Sequence, residues 1–192
     1  MNSGVDPFAV ALVVVRALEA LGVQNTIGGS IASSFAGEPR STIDIDIVAA
    51  LDESHVAPLV QTLSGEFYAD EDALRRAVRT RASANLIHLG TMLKVDLFVA
   101  GGTPLDAQQI ARRKTVDLGD GRQIHVHPPE DILLQKLRWF REGGGVSDRQ
   151  WRDVLGIVRV QGTQLDVTYL RRHAGVIDVA ALLERALAEA GD

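Results

Sequence analysis

The spacing of hydrophobic and polar residues changes character near residue 127. Before that point, short runs of alternating or β-branched apolar residues predict strands, because successive strand side chains point to opposite faces. The predicted strands are Val23–Ile27, Thr42–Ala50, Ala84–Leu89, Met92–Ala100, Thr115–Leu118 and Gln123–Val126. Helical spacing lies between them, at residues 6–21, 30–35, 52–63, 70–79 and 104–113. This mixture predicts an α/β (α+β) fold over residues 1–127.

The rest of the chain, residues 128–192, shows helical spacing alone. Ser147 is a suitable N-cap for one of its helices, as Asp6 and Asp52 are for two helices of the first portion. We therefore expect a core over residues 1–127 and a C-terminal helical portion over residues 128–192 that packs on it. The predicted helices of that portion are Pro129–Arg141, Asp148–Val160, Val167–His173 and Val179–Ala190.

Two aspartates share one face of the clearest strand, Thr42–Ala50. Three isoleucines occupy one face, which predicts its burial, and Thr42, Asp44 and Asp46 occupy the other. The two aspartate Cα atoms are expected to lie about 6.5–7 Å apart. A divalent cation such as Mg²⁺ would relieve the repulsion between these carboxylates. The alternative is a half-exposed amphipathic strand with two solvated aspartates.

Two neighbouring segments favour the metal over that alternative. Gly28, Gly29 and Ser30 lie between a strand and a short helix, where backbone N–H groups and a hydroxyl suit a phosphate. Asp96 adds a carboxylate from a second strand-like run. Carboxylates from two strands beside a phosphate-binding turn predict a two-metal site for phosphoryl transfer.

Composition and charge narrow the chemistry further. The chain has 192 residues and no cysteine, which excludes a thiol nucleophile, cysteine-bound zinc, iron–sulfur clusters and disulfides. Its net charge is −5, and residues 1–100 carry the whole excess, with 7 basic and 12 acidic residues. A general nucleic-acid coat protein is therefore disfavoured. No apolar run is long enough to span a membrane and no signal peptide is evident, so we expect a cytoplasmic protein.

The order of these motifs resembles the nucleotidyltransferase superfamily, which has a polymerase-β-like fold. The superfamily pattern is a Gly-Ser turn, a spacer, an Asp-x-Asp strand and a later carboxylate strand. It corresponds here to Gly28–Ser30, to Arg40-x-Thr42-x-Asp44-x-Asp46 and to Asp96. In the helical portion, Gln135-Lys136 and Arg152-Asp153 resemble the later motifs of AbiEii-type nucleotidyltransferase toxins. The resemblance covers about residues 24–160 and implies a small mixed sheet flanked by helices.

The resemblance also implies a role for each matching residue, with residues 1–127 as the catalytic core. Asp44 and Asp46 would hold two Mg²⁺ ions, one of them bound to the triphosphate of an NTP. Asp96 would help bind the other ion and accept the proton of the attacking hydroxyl. The implied nucleotide-binding residues are Gly28, Gly29, Ser30, Thr42, Lys136, Arg152 and Asp153. The implied reaction transfers a nucleoside monophosphate (NMP) from an NTP to an acceptor.

Three functions fit this pattern. The first is an AbiEii-like toxin of a toxin–antitoxin system, which modifies RNA or protein and has an antitoxin partner. The second is an aminoglycoside-type enzyme that modifies a small molecule. The third is a non-catalytic nucleotide-binding protein with the same fold. Carboxylates at all three ligand positions argue against the third, and the Gln135-Lys136 and Arg152-Asp153 motifs favour the first.

Two further signals have competing explanations. Lys136 shares an amphipathic helix with Trp139 and Phe140, so its charge is equally explained by a solvated helix face. His125 and His127 share a strand face, which is one half of a metal site. Zinc requires three or four ligands, and the sequence supplies no third one nearby, so metal binding by this pair is disfavoured.

Overall fold

The computed structural model describes residues 6–38, 44–101, 104–119 and 123–191. The chain forms two compact units. Unit 1 comprises Met1–Ile31 and Ser41–His127, and unit 2 comprises Ala32–Arg40 and Pro128–Asp192. The predicted packing of the helical portion on the core stays a prediction.

The strands and helices of the described residues alternate through unit 1 and become entirely helical in unit 2. The strands are β1 Asn25–Ile27, β2 Ile45–Ala49, β3 Phe67–Ala69, β4 Ser83–His88, β5 Lys94–Val99, β6 Lys114–Asp117 and β7 Gln123–Val126. The helices are α1 Pro7–Ala20, α2 Gly29–Ala36, α3 Glu53–Leu63, α4 Glu71–Thr80, α5 Pro104–Ala111, α6 Pro129–Glu142, α7 Asp148–Gln161, α8 Val167–Val176 and α9 Ala180–Gly191.

One mixed sheet runs through unit 1, with the strand order β3-β4-β5-β2-β1-β7-β6. β2 is parallel to β5 and antiparallel to β1, and β1 is parallel to β7. The pairs β3–β4, β4–β5 and β6–β7 are antiparallel. The two strands that carry the acidic motif, β2 and β5, are therefore direct neighbours in the middle of the sheet.

The isoleucine face of β2 is buried, as its alternation predicts. Ile45 and Ile47 are fully buried, and so are their register partners Val95 and Leu97 on β5. Apolar side chains of α1, α3 and α4 belong to the same core. Burying one such side chain stabilises a fold by about 1.5–3 kcal/mol relative to leaving it in water. This preference turns the alternate residues of β2 and β5 toward the opposite face.

The opposite face of these strands is apolar at one end and polar at the other. Val48, Ala100 and Ile110 form a small second core, in which Ile110 belongs to α5. Toward the other end, Asp46 and Asp96 are only partly buried. The face thus combines a covered end with an accessible acidic end.

Unit 2 has its own core, formed by α6, α7, α8 and α9. Leu137, Ile157, Leu170 and Leu183 are fully buried, one from each of these helices. The indole of Trp151 donates hydrogen bonds to the Glu189 carboxylate at 3.1 and 3.2 Å. These contacts connect α7 with α9.

The predicted mixed sheet with flanking helices and a helical C-terminal portion is confirmed. Asp6, Asp52 and Ser147 cap α1, α3 and α7 through side-chain hydrogen bonds, as expected. The strand β3 is not predicted from the sequence, because its three residues are too few to show alternation; it is formed by pairing with β4. Among the described residues, no helix combines the length and apolar character needed to cross a bilayer.

Candidate active site

Three aspartates and one lysine occupy neighbouring positions on the polar face of β2 and β5. Asp46 and Asp96 are register partners on these parallel strands. Asp44 lies two residues before Asp46, and Lys94 lies two residues before Asp96. Adjacent strands are about 4.8 Å apart, and alternate residues of one strand are about 6.5–7 Å apart. The four residues therefore form a compact grid of two neighbouring positions on each of two adjacent strands. We call its three acidic members, Asp44, Asp46 and Asp96, the carboxylate cluster.

The loop after β1 touches the carboxylate cluster at Gly29. The Gly28 N–H donates a hydrogen bond of 2.9 Å to the backbone carbonyl of Asp46. Gly29 has a φ of +55°, and a Cβ there would lie 2.5 Å from Cγ of Asp46. Only glycine allows this approach together with this backbone conformation. Because Gly29 also begins α2, the Asp46 carboxylate lies at a helix N-terminus, where negative charge is favoured.

Two other residues of the first portion are predicted to bind phosphate, and the structure describes one of them. Ser30 is buried in the first turn of α2, next to Gly29. Thr42 lies outside the described residues. The structure thus brings the Gly-Gly-Ser turn beside Asp46, while binding of a nucleotide by this turn stays a prediction.

Lys94 places a positive charge against the carboxylate cluster. Its ammonium nitrogen lies 2.8 Å from Oδ2 of Asp96. The pKa of Lys94 is raised, chiefly by this hydrogen bond. Burial opposes the rise, and the negative charges of Asp96, Asp44 and Asp46 add to it. Lys94 is not among the residues predicted for the site, although its spacing from Asp96 places both on one strand face.

The carboxylate cluster suits a hard divalent cation such as Mg²⁺. Its donors are carboxylate oxygens on adjacent strands, and they already attract the ammonium of Lys94. Mg²⁺ prefers oxygen ligands and commonly completes its coordination with water and substrate phosphates. Among the described residues, no three His, Asp or Glu side chains lie close enough together to hold a metal ion. A cation at Asp46 and Asp96 would therefore depend on water and substrate oxygens for further ligands. Asp44, Asp46 and Asp96 are the residues that would hold the ion.

The remaining predicted nucleotide-binding residues lie in unit 2. Lys136 of α6 is 2% exposed and donates a 2.8 Å hydrogen bond to Oδ2 of Asp153 on α7, which is 6% exposed. The Lys136 ammonium also lies 5.9 Å from the centre of the Trp139 ring. Arg152, next to Asp153, is exposed. The alternative of a solvated Lys136 is therefore wrong, and the predicted contacts of these residues with a triphosphate stay a prediction.

His127 is a buried polar residue beside the same loop of unit 1. It is 1% exposed, and its backbone N–H donates to the carbonyl of Ile27, the residue before Gly28. Neither ring nitrogen has a hydrogen-bond partner in the part of the chain that the structure describes. Burial lowers the pKa of His127 to about 4, so its imidazole is neutral at pH 7. In contrast, His125 is partly exposed and lies 3.2 Å from the Thr115 hydroxyl.

Comparison with solved structures identifies this arrangement of strands and helices. The sequence matches no protein-family model and no curated protein. An antigenic nucleotidyltransferase-like protein from Paracoccidioides brasiliensis superposes with a TM-score of 0.59 at 17% identity, over 95% of this chain and 91% of that one. The antibiotic-resistance factor ANT(2'')-Ia superposes with a TM-score of 0.58 at 16% identity, over 94% and 97%.

A second structure of ANT(2")-Ia, in complex with adenylyl-2"-tobramycin, has a TM-score of 0.56 at 14% identity, over 86% of this chain and 94% of that one. The fold is that of the nucleotidyltransferases. This confirms the fold that the sequence motifs imply. At identities of 17% or less, the similarity establishes the fold alone. The closer resemblance to AbiEii-type toxins stays a prediction.

Proposed function

We propose that the protein is a Mg²⁺-dependent nucleotidyltransferase that transfers an NMP from an NTP to an acceptor. The proposal is carried by the pairing of Asp46 with Asp96 across two parallel strands, directly beside Gly29. This pairing puts the proposed metal ligands next to a loop and a helix N-terminus whose N–H groups suit phosphate oxygens. The nucleotidyltransferase fold supports the same activity.

The proposed reaction is a displacement at the α-phosphorus of the NTP. The acceptor hydroxyl oxygen forms a bond to this phosphorus, the bond to the bridging oxygen breaks, and pyrophosphate leaves. Bound Mg²⁺ would supply positive charge that stabilises the triphosphate in the transition state. Asp44 and Asp46 would hold the cation, and Asp96 would accept the hydroxyl proton. Gly29 and Ser30 would bind phosphate oxygens, whereas the Gly28 N–H already donates to the Asp46 carbonyl.

Calorimetry with each of the four NTPs tests the nucleotide half of this proposal. We expect saturable binding of at least one NTP in the presence of Mg²⁺ and loss of that binding when EDTA removes the metal. Asp46→Asn should bind the same NTP far more weakly. The absence of any Mg²⁺-dependent binding at millimolar NTP would refute the enzyme assignment.

Two classes of acceptor are supported by separate observations. RNA or protein, modified by an AbiEii-like toxin with an antitoxin partner, is supported by the Gln135-Lys136 and Arg152-Asp153 motifs. A small hydroxylated molecule is supported by ANT(2'')-Ia, whose structure matches over 97% of its length and whose other complex contains an adenylylated aminoglycoside. The motifs make the toxin our first proposal and the small molecule our second.

Expression of the protein alone in a bacterial host distinguishes these acceptors. Growth arrest that Asp46→Asn relieves would support the toxin. Normal growth with acquired resistance to aminoglycosides, again dependent on Asp46, would support the small-molecule enzyme. A neighbouring gene for a small antitoxin would favour the first outcome.

A further inference from the structure

Lys94 lies next to the carboxylates that the proposed reaction assigns to a divalent cation. Ile45 is the register partner of Val95, so the preceding residues, Asp44 and Lys94, are opposite each other. Lys94 is therefore adjacent to Asp44 and bonded to Asp96 at 2.8 Å. An ammonium and a metal ion on this grid would compete for the same carboxylate oxygens.

We propose that Lys94 is the exchangeable counter-ion of the carboxylate cluster. Its ammonium holds Asp96 in the metal-free protein and leaves Asp96 when a divalent cation binds. The inference rests on the proposed metal-dependent function, since it concerns the same carboxylates. It assigns Lys94 as a positioning residue that keeps Asp96 in place on β5 until the cation arrives.

The exposure of the Lys94–Asp96 pair supports exchange rather than a permanent bond. The Lys94 side chain is 53% exposed and that of Asp96 is 21% exposed, so the ammonium can move into water as the ion enters. The other lysine–aspartate pair described above, Lys136 with Asp153, is almost fully buried and has no such route. A partly exposed ion pair is also weak enough to yield to a divalent cation.

The identity of the residue at position 94 also suits exchange. The sequence contains three lysines and seventeen arginines, and a lysine stands at this position. An ammonium is a compact charge on a flexible stem, whereas the guanidinium of arginine grips a carboxylate with two parallel hydrogen bonds. Arginine at position 94 would therefore resist displacement by a metal ion.

Binding of Mn²⁺ alone, with free Mn²⁺ counted by electron paramagnetic resonance at one fixed neutral pH, tests the inference without catalysis. We expect Lys94→Met to bind Mn²⁺ about fivefold more tightly than the unmodified protein, because a competing cation is gone. Lys94→Arg should bind it about fivefold more weakly, because the bidentate pair must be broken. Lys114→Met, which alters an exposed lysine at the start of β6, is the matched control and should bind Mn²⁺ like the unmodified protein.

Thermal unfolding provides a second measurement on the same proteins. Lys94→Met removes the ammonium that pairs with Asp96, so its unfolding midpoint in EDTA should lie below that of the unmodified protein. Added Mg²⁺ should raise the midpoint of Lys94→Met by more than it raises that of Lys114→Met. Equal shifts in the two variants would show that Lys94 does not act as the counter-ion.

Asp46→Asn separates failure of this inference from failure of the proposed function. If Mn²⁺ binding is lost in Asp46→Asn but is unchanged in Lys94→Met or Lys94→Arg, the metal site stands and the role of Lys94 is refuted. If the unmodified protein binds no Mn²⁺ that depends on Asp46, both the metal-dependent function and the inference are refuted.

Discussion

Gly29 and Gly22 share an unusual backbone conformation but not the same surroundings. Their φ angles are +55° and +71°, in the region that favours glycine. A Cβ on Gly29 would overlap the Asp46 side chain, whereas a Cβ on Gly22 would have no heavy atom within 4 Å. The pair therefore separates the cost of the backbone conformation from the cost of displacing a proposed metal ligand.

We expect Gly29→Ala to abolish Mg²⁺-dependent NTP binding and Gly22→Ala to leave it unchanged. The left-handed conformation costs a non-glycine residue about 1–2 kcal/mol, and both variants should lose this much free energy of unfolding. Gly29→Ala must also push the Asp46 carboxylate aside, so its loss should be larger. Calorimetry and urea denaturation measure the two effects. Intact NTP binding in Gly29→Ala would contradict the assigned role of this close approach.

We expect the burial of His127 to make the folded protein sensitive to acid. Burial lowers its pKa from 6.5 to about 4, so between these pH values the unfolded chain binds a proton that the folded protein does not. The stability contributed by neutral His127 is therefore complete above about pH 6.5 and declines as the pH falls toward 4. At pH 5 the loss from this residue is about 2 kcal/mol.

We expect His127→Leu to remove this part of the acid sensitivity, because leucine has no group to protonate. The measurement is the free energy of unfolding by urea at pH 7 and pH 5. The difference between these two values should be about 2 kcal/mol smaller in His127→Leu than in the unmodified protein. His125→Leu, two residues away on β7, is the control. The same pH dependence in His127→Leu and the unmodified protein would contradict the prediction.

At the scale of elements, the buried pair Lys136–Asp153 connects α6 with α7 inside unit 2. Removing one member of a buried pair is far more costly than removing both, because the remaining charge keeps its desolvation cost. We expect Lys136→Met to lower the free energy of unfolding by about 3–5 kcal/mol. The double variant Lys136→Met/Asp153→Leu should recover most of this loss. Arg138→Met, in an exposed pair with Glu142 on the same helix, should change it by less than about 1 kcal/mol.

The double variant also tests the predicted nucleotide contacts of Lys136 and Asp153 together. It removes both charges and recovers most of the stability, so a change in NTP affinity is not explained by unfolding. If this pair binds the nucleotide, the affinity should fall about tenfold, the equivalent of about 1.4 kcal/mol. Unchanged affinity would assign the pair to the stability of unit 2 alone.

Helices and strands that are marked by nearby residues, through alternation or an N-cap, are predicted well from the sequence. The alternating isoleucines of β2 and the caps at Asp52 and Ser147 each depend on residues close together in the chain. The strand β3 lacks such a signal, since Phe67–Ala69 becomes a strand only through its pairing with β4. Local patterns therefore predict the helices and the longer strands, and long-range pairing decides the rest.

The same distinction applies to the site. The residues Asp44, Asp46 and Asp96 can be selected from strand patterns and from the resemblance to nucleotidyltransferases. The register that makes Asp46 and Asp96 neighbours joins residues fifty positions apart, so local spacing does not show it. The same register places Asp44 and Asp46 beside the contact of Lys94 with Asp96. The burial of Lys136 likewise depends on the packing of α6 against α7.

For the molecule as a whole, the charge distribution agrees with a local phosphate site. Residues 1–100 carry the entire net charge of −5, and the carboxylate cluster supplies three of their twelve acidic residues. Two Mg²⁺ ions would add four positive charges and nearly neutralise this excess. A chain with this charge disfavours broad binding to polyanions, whereas a metal-bridged triphosphate remains compatible with it.

Transfer of label from α-³²P NTPs tests directly whether the carboxylate cluster catalyses nucleotidyl transfer. The purified protein is incubated with Mg²⁺ and, separately, with total RNA, a protein extract or a panel of aminoglycosides. We expect one acceptor class to be labelled with release of pyrophosphate. Asp44→Asn should fold normally and lose this transfer by at least about a hundredfold, while Asp117→Asn, at an exposed strand aspartate, retains it. Full transfer by a folded Asp44→Asn variant, or no labelling of any acceptor, would contradict this catalytic role.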